Sequence, residues 1–136
     1  MNYELFLNFA AIMDLSQYTT EALALLERLI STPSVSRDEA RAADLFEAQA
    51  REWGLPARRI GNNILIQEDI DPQKPTLLLN AHIDTVKPVT TWTRDPFSPT
   101  LEDGRLYGLG ANDCGGGLVS LLAAYRMLRG ESTQNT

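Results

Sequence analysis

Apolar residues spaced three and four positions apart predict helices in the first part of the chain. In the N-terminal run "MNYELFLNFAAIMDL", residues 5–13 have this spacing, which predicts a short amphipathic helix packed on the domain. The stretch "TTEALALLERLI" predicts a second helix, with Thr19 or Thr20 as its N-cap and Pro33 beyond its end.

Two further helices are predicted by the same spacing. Residues 36–53 have a mixed apolar face of alanine, leucine, phenylalanine and tryptophan, and Gly54 follows as the glycine that ends the helix. Residues 115–128 repeat leucine and tyrosine at helical intervals, and Gly130 is expected to close that helix. The last six residues, "ESTQNT", are polar and have no such pattern.

Between these helices, three stretches have the pattern of strands. The sequence "ARRIGNNILIQED" predicts a hairpin with a strand over residues 57–60, a Gly61-Asn62 turn and a strand over residues 63–67. Residues 77–81, "LLLNA", are a continuous apolar run, typical of a strand buried on both faces. A further short strand is expected around residues 101–106. Helices before and after such strands predict an α/β sandwich.

The composition limits the possible functions of the chain more than it limits the possible folds. A chain of 136 residues suits one domain or one piece of a larger domain. Its net charge of −6 argues against a surface that binds nucleic acid. The single cysteine, Cys114, excludes an internal disulfide. The N-terminal run lacks a basic segment, and its apolar stretches are shorter than the roughly 20 residues that cross a bilayer. A cytoplasmic protein with no membrane contact is therefore expected.

Candidate chemistry begins at the end of the apolar run, where the only histidine, His82, is followed by Asp84. Side chains two positions apart on an extended backbone point to the same side, so both should emerge together where the strand ends. A carboxylate there can accept the second N–H of the imidazole and direct its other nitrogen toward a metal ion. Taken alone, however, such a pair is more often a solvated strand end.

A second acidic position, Asp113, lies in the glycine-rich stretch "GRLYGLGANDCGGG", just before the last predicted helix. Small residues there let the backbone come close to a ligand, although an acid at a helix start can equally be an N-cap. The run "GLGAND" also resembles the start of a dinucleotide-binding loop. Asp113 occupies the third glycine position of that loop, where its charge would repel a pyrophosphate, so nucleotide binding is not expected.

All three residues belong to one longer pattern. The run "LLLNAHIDTVKPVTTWTRDPFSPTLEDGRLYGLGANDCGGG" resembles the metallopeptidase family M20, which includes acetylornithine deacetylase, succinyl-diaminopimelate desuccinylase, aminoacylase and carboxypeptidase G-type enzymes. An apolar strand leads into His-x-Asp and is followed, at the family's spacings, by aromatic, proline and glycine positions and by Asp113. The earlier stretch "ISTPSVS" fits the same family order.

The resemblance implies a three-layer α/β/α zinc-exopeptidase-like catalytic domain and a site with two zinc ions, for which cobalt can substitute. It makes His82 a ligand of one zinc, Asp113 the carboxylate that bridges both ions, and Asp84 the catalytic residue that orients His82. It also implies a cis peptide bond between Asp113 and Cys114. Cys114 itself is expected to be a small packing residue rather than a ligand. Leu109 and Cys114 differ from many relatives, which leaves the subfamily open.

The implied function is zinc-dependent hydrolysis of an N-acyl amino acid amide bond, with acetylornithine deacetylase as the nearest label. A dipeptidase or carboxypeptidase of the same family is the alternative.

Family enzymes are several hundred residues long, so residues 1–136 are expected to be the N-terminal part of the catalytic domain. The Glu-Glu general base, the remaining ligands and the lid domain of a dimeric parent would follow. The isolated chain is expected to be inactive and either to self-associate or to be only marginally stable. The second hypothesis is a stand-alone, non-catalytic binding or assembly module.

Overall fold

The computed structural model describes residues 15–68 and 71–134. The helix expected over residues 5–13 lies outside the described residues. In chain order, the described elements are helix α1 (Leu15–Ile30), helix α2 (Ala40–Glu52), strands β1 (Ala57–Ile60) and β2 (Asn63–Ile66), strands β3 (Thr100–Glu102) and β4 (Arg105–Tyr107), an irregular turn over Ala111–Gly116, and helix α3 (Gly117–Gln134).

The core lies where the three helices meet. Helix α1 turns one face inward because its leucines recur at helical spacing, and Leu25 at the centre of that face is only 1% exposed. Small residues of α2 let the helices approach closely, since Ala42 and Ala50 are almost completely buried. The buried cluster comprises Leu25, Leu26, Leu29, Ile30, Ala42, Phe46, Ala50, Leu55, Val119 and Leu122.

The predicted N-cap of the first of these helices is wrong. Helix α1 already includes Leu15, and both threonines lie inside it. The hydroxyl of Thr19 donates a hydrogen bond to the carbonyl of Leu15 (2.9 Å), and that of Thr20 donates to Ser16 (2.8 Å). Each hydroxyl therefore bonds back to the preceding turn rather than capping a helix start. The predicted end is confirmed, because α1 stops at Ile30, before Pro33.

Helix α2 begins four residues later than predicted but ends as predicted. Val35 pairs with Thr85 instead, and Ser36 and Arg37 lie in the turn that follows, where Arg37 has a positive φ of 77°. At the other end, Gly54 takes a φ of 69°, a conformation that glycine adopts without a steric penalty. The N–H of Leu55 then returns to the carbonyl of Ala50 (3.0 Å).

Helix α3 is displaced relative to its predicted range. It begins at Gly117 rather than at residue 115, because the backbone of Asp113 and Cys114 just before it is not helical. It also passes through Gly130, which was expected to close it, and continues to Gln134. The middle of α3 packs against α1, where Arg126 forms an ion pair with Glu21 (2.6 Å).

Both hairpins follow from their turn residues. Strands β1 and β2 pair antiparallel in the predicted register, with Ile60 opposite Asn63, and Gly61 supplies the positive φ of the turn. The short strand expected around residues 101–106 is instead a second hairpin, β3 and β4. It turns at Asp103 and Gly104, which both have positive φ, as a type I′ hairpin turn requires.

The buried strand predicted over residues 77–81 is wrong for this structure. These residues lie in none of the described strands, and Leu77 and Leu78 are 76% and 77% exposed. An apolar strand becomes buried only when neighbouring strands flank it, and the one bridge near this segment joins Val35 to Thr85 in parallel. The described residues thus form a mixed helix and strand structure with two small antiparallel sheets, compatible with part of an α/β domain.

Every helix within the described ranges is too short or too polar to span a lipid bilayer.

Truncation of the central leucine of α1 should strongly destabilise the fold. We expect Leu25→Ala to lower the free energy of unfolding by about 2–5 kcal/mol, because it removes a fully buried side chain and leaves a cavity. Urea denaturation measures this change. The matched control is Leu23→Ala in the same helix, where the side chain is 42% exposed and little loss is expected. Equal losses in the two variants would contradict this placement of the core.

Candidate metal centre

The segment that carries His82 and Asp84 is anchored to the loop after α1. The N–H of Thr85 donates to the carbonyl of Ser34 (2.8 Å), and the N–H of Ser36 donates to the carbonyl of Thr85 (3.0 Å). These two bonds form the parallel bridge between Val35 and Thr85. The end of the extended segment is therefore held beside the buried Ser34, at the edge of the helical core.

The irregular turn over Ala111–Gly116 approaches the same place from the other side. A Cβ atom on Gly110 would come within 2.7 Å of the Thr85 side chain, and one on Gly115 within 2.6 Å of Leu26. Only glycine fits such close approaches, as the sequence pattern indicated for this stretch. The peptide bond between Asp113 and Cys114 is cis, which confirms the expectation drawn from the family resemblance.

These two segments bring the three predicted site residues together. The Nε2 atom of His82 lies 3.0 Å from Oδ1 of Asp113. On the other side of the ring, Nδ1 lies 3.0 Å from the backbone carbonyl of Asp84 and 3.3 Å from its carboxylate. The prediction that His82 and Asp84 emerge on one side of the chain is confirmed. Since a carbonyl oxygen can only accept, Nδ1 carries the proton in this contact, and Nε2 is directed at Asp113.

Sequence reasoning missed the part that Cys114 plays beside this cluster. Its Sγ atom lies 3.3 Å from both the backbone N and the backbone O of His82, so the thiol accepts from one group and donates to the other. Cys114 therefore does more than fill space, because it bonds the backbone groups of a segment that lacks a sheet partner there. The only sequence feature that pointed to a role for Cys114 was its position next to Asp113, and that position does not reveal which residue the thiol contacts.

A second missed residue, Ser36, bonds to the acidic member of the pair. Its hydroxyl donates to Oδ2 of Asp84 at 2.5 Å. This bond is the main reason why the pKa of Asp84 lies below its ordinary value, against the opposing effect of partial burial. Nearly fifty positions separate the two residues in the chain, so no local pattern could predict the contact. Ser36 appeared in the sequence only within the "ISTPSVS" stretch.

The charges around His82 favour its protonated form. The pKa of His82 lies above its ordinary value, mainly because Nδ1 bonds to the Asp84 carbonyl and next because the Asp113 carboxylate faces Nε2. The side chain of His82 is 51% exposed and that of Asp113 is 87% exposed. A cation can therefore reach the space between them from solvent.

The chemistry of this pair fits a zinc ion. Two atoms that each lie about 2.0–2.2 Å from one tetrahedral zinc are separated by roughly 3.3–3.6 Å, so the 3.0 Å between Nε2 and Oδ1 needs only a small widening. Imidazole and carboxylate are also ligands that zinc accepts. Among residues 15–68 and 71–134, however, no three histidine, cysteine or acidic side chains are grouped to hold a metal ion.

The raised pKa of His82 gives a test of the cluster. Because the folded pKa lies above the ordinary value of 6.5, these contacts stabilise the fold fully below pH 6.5 and are lost as the pH rises through the folded pKa. We expect Asp113→Asn to lower the pKa of His82, since a neutral amide stabilises the imidazolium less. A proton NMR titration of the single histidine measures it. Asp44→Asn, whose carboxylate pairs with Arg59, is the control that should leave the value unchanged. An unchanged His82 pKa in Asp113→Asn would contradict the contact.

Comparison with known proteins identifies similar chains. The chain is 32% identical over 125 residues to a succinyl-diaminopimelate desuccinylase of Verminephrobacter eiseniae, a match that covers 77% of this chain and 31% of the relative. A protein of the same name from Stenotrophomonas maltophilia is 35% identical over 106 residues, which cover 75% of this chain and 28% of the relative. Another from Anaplasma marginale is 32% identical over 114 residues, with 79% and 30% covered.

The chain thus spans about three tenths of the length of these relatives. In addition, residues 78–136 match the model of peptidase family M20/M25/M40. The matched range contains all three members of the His82 cluster and the glycine-rich turn that positions Asp113. The chain therefore belongs to peptidase family M20/M25/M40.

Proposed function

We propose that this chain is the N-terminal part of the catalytic domain of a zinc-dependent hydrolase, which cleaves the amide bond of an N-acyl amino acid. The observation that carries the proposal is the arrangement of His82. Its Nε2 faces the carboxylate of Asp113 at 3.0 Å, while its Nδ1 is held by Asp84. Membership of a family of hydrolases supports the reaction class. A cytoplasmic location and a three-layer α/β/α architecture for the complete domain are part of the same proposal.

Within this chain, His82 and Asp113 are the residues that would hold metal. When bound, zinc, or cobalt as its substitute, supplies Lewis-acid chemistry that acidifies water and polarises a carbonyl. Asp113 would hold metal through its carboxylate, which has two oxygens and is 87% exposed.

Asp84 acts on the imidazole rather than on the substrate. By accepting a hydrogen bond from Nδ1–H it fixes the tautomer in which Nε2 has a free lone pair, and its negative charge makes that lone pair a better donor. The low pKa of Asp84 keeps this carboxylate ionised at neutral pH. Asp84 therefore serves as the group that orients His82, the role that the family resemblance implies.

The site needs more groups than the described residues bring together. A catalytic zinc usually takes three protein ligands and keeps one open position, whereas the described residues offer two ligands in this cluster. We propose that the remaining ligands, the general base and a lid domain through which the protein dimerises belong to later parts of the complete polypeptide. The isolated chain should then lack amidohydrolase activity.

The substrate is proposed from the relatives. Those described above are named succinyl-diaminopimelate desuccinylases, which favours an N-succinyl amino acid over the N-acetylornithine expected from the sequence. Leu109 and Cys114, the two departures noted in the sequence, remove no ligand of the His82 cluster, and they leave the acyl group to be decided by experiment.

The full-length protein tests this function directly. With zinc bound, it should hydrolyse N-succinyl-diaminopimelate faster than N-acetylornithine, and His82→Ala should lower kcat/KM by more than about 100-fold, since loss of a residue that only supports a ligand already costs about 10- to 100-fold. Exposed Lys87→Ala is the control. The 136-residue chain should show no turnover. Turnover by that chain, abolished in its own His82→Ala variant, would contradict the proposal that later parts of the polypeptide supply the remaining ligands and the general base.

A groove on the chain should make it self-associate when isolated. The groove has a volume of about 460 Å³ and is lined by apolar residues of β2, α3 and residues 77–79. Because Leu77 and Leu78 are exposed along an extended backbone with no ladder, we expect oligomers in light-scattering measurements. Replacing both leucines with lysine should shift the distribution toward monomer, whereas Leu23→Lys on α1 should not. A monodisperse monomer at high concentration would contradict the expected self-association through this groove.

A further inference from the structure

The Ser36 hydroxyl occupies a defined place behind the His82 cluster. The backbone of Ser36 is fixed first, because its N–H donates to the carbonyl of Thr85 (3.0 Å). Its side chain then reaches Oδ2 of Asp84 at 2.5 Å, much closer than the 3.4 Å between the same hydroxyl and the carbonyl of Thr85. The loop after α1 therefore contacts the segment that carries the predicted zinc ligand through a main-chain bridge and, separately, through one hydroxyl.

The carboxylate of Asp84 has a different partner on each oxygen. Oδ2 accepts from Ser36, while Oδ1 lies 3.3 Å from Nδ1 of His82, beside the backbone carbonyl of Asp84 that accepts from the same nitrogen (3.0 Å). Since both oxygens are engaged, the carboxylate cannot rotate without breaking a contact. The side chain of Asp84 is 38% exposed, so without the hydroxyl its Oδ2 would turn to water and Oδ1 would lose its fixed direction toward the ring.

We propose that Ser36 is a positioning residue of the metal centre: its hydroxyl holds the Asp84 carboxylate in the orientation that directs Nε2 of His82 toward the metal position beside Asp113. The metal part of this inference rests on the proposed function, whereas the orientation of the imidazole does not. Ser36 contacts neither substrate nor metal in this scheme, and it acts only through Asp84.

A purely structural role is separable from this one. The bridge between the loop and the segment depends on main-chain bonds, Thr85 N–H to Ser34 and Ser36 N–H to Thr85. Replacement of Ser36 with alanine keeps both bonds and removes only the hydroxyl. The loop should consequently remain in place in that variant, and the loss should be confined to the orientation of the Asp84 carboxylate.

The experiment compares six forms of the 136-residue chain: wild type, Ser36→Ala, Ser36→Thr, the control Ser31→Ala, and Asp84→Ala with and without Ser36→Ala. Ser31 is a matched serine at the end of α1, whose hydroxyl donates to the carbonyl of Glu27 (2.9 Å). Two properties are measured: the exchange rate of the His82 Nδ1–H proton with water by NMR, and the affinity for zinc by calorimetry.

Ser36→Ala should speed exchange of the Nδ1–H proton and weaken zinc binding by about 10- to 100-fold, the usual effect of losing a group that orients a metal ligand. Ser36→Thr retains the hydroxyl and should restore both properties, and Ser31→Ala should alter neither. In an Asp84→Ala background, Ser36→Ala should have no further effect, because the hydroxyl acts through that carboxylate.

Unchanged proton exchange in Ser36→Ala would overturn the inference, as would an equal effect of Ser36→Ala in the Asp84→Ala background. If the wild-type chain binds no zinc, the proposed metal site fails, and the exchange measurements alone decide whether Ser36 positions the imidazole. Failure of the proposed function and failure of this inference therefore give different results.

Discussion

The parallel bridge between Val35 and Thr85 is the contact on which the candidate centre depends. Residues 77–84 belong to none of the described strands, so they lack the ladder of bonds that normally fixes a strand in place. The two hydrogen bonds of the bridge hold the end of this segment against the loop after α1, and α1 in turn belongs to the buried core. Without them, His82 and Asp84 would sit on an extended segment with no fixed relation to Asp113.

Two side chains also anchor the segment that the bridge holds in place. The thiol of Cys114 bonds both backbone groups of His82, and the hydroxyl of Ser36 bonds the carboxylate of Asp84. The contacts of Cys114 satisfy backbone groups that a neighbouring strand would otherwise have to satisfy or leave to water. The cluster is thus held by short polar contacts at an exposed edge, while the helices beneath it are held by apolar packing. This division suits a site whose ligands must remain accessible to an ion and a substrate.

Two of the three predicted site residues are acidic, and their charges help to raise the pKa of His82. Asp84 and Asp113 lie on opposite sides of the imidazole, and both favour a positive charge between them. A proton and a metal cation compete for the space beside Nε2, as expected where ligands must lose protons to bind metal. An acidic pair around one imidazole is consequently suited to hold cations.

Local features of this protein were determined by the sequence itself: the leucine face of α1, the hairpin at Gly61, the end of α2 at Gly54, and the proximity of His82 to Asp84. Each depends on residues only a few positions apart, where side-chain periodicity and glycine's freedom at positive φ are sufficient. Tertiary structure alone decided the rest. The pattern of residues 77–81 predicts burial, yet Leu77 and Leu78 are exposed, because burial requires neighbours that no local pattern specifies. Likewise, the contacts of Ser36 with Asp84 and of Cys114 with His82 join positions 48 and 32 apart, and such pairs exist only once the chain has folded.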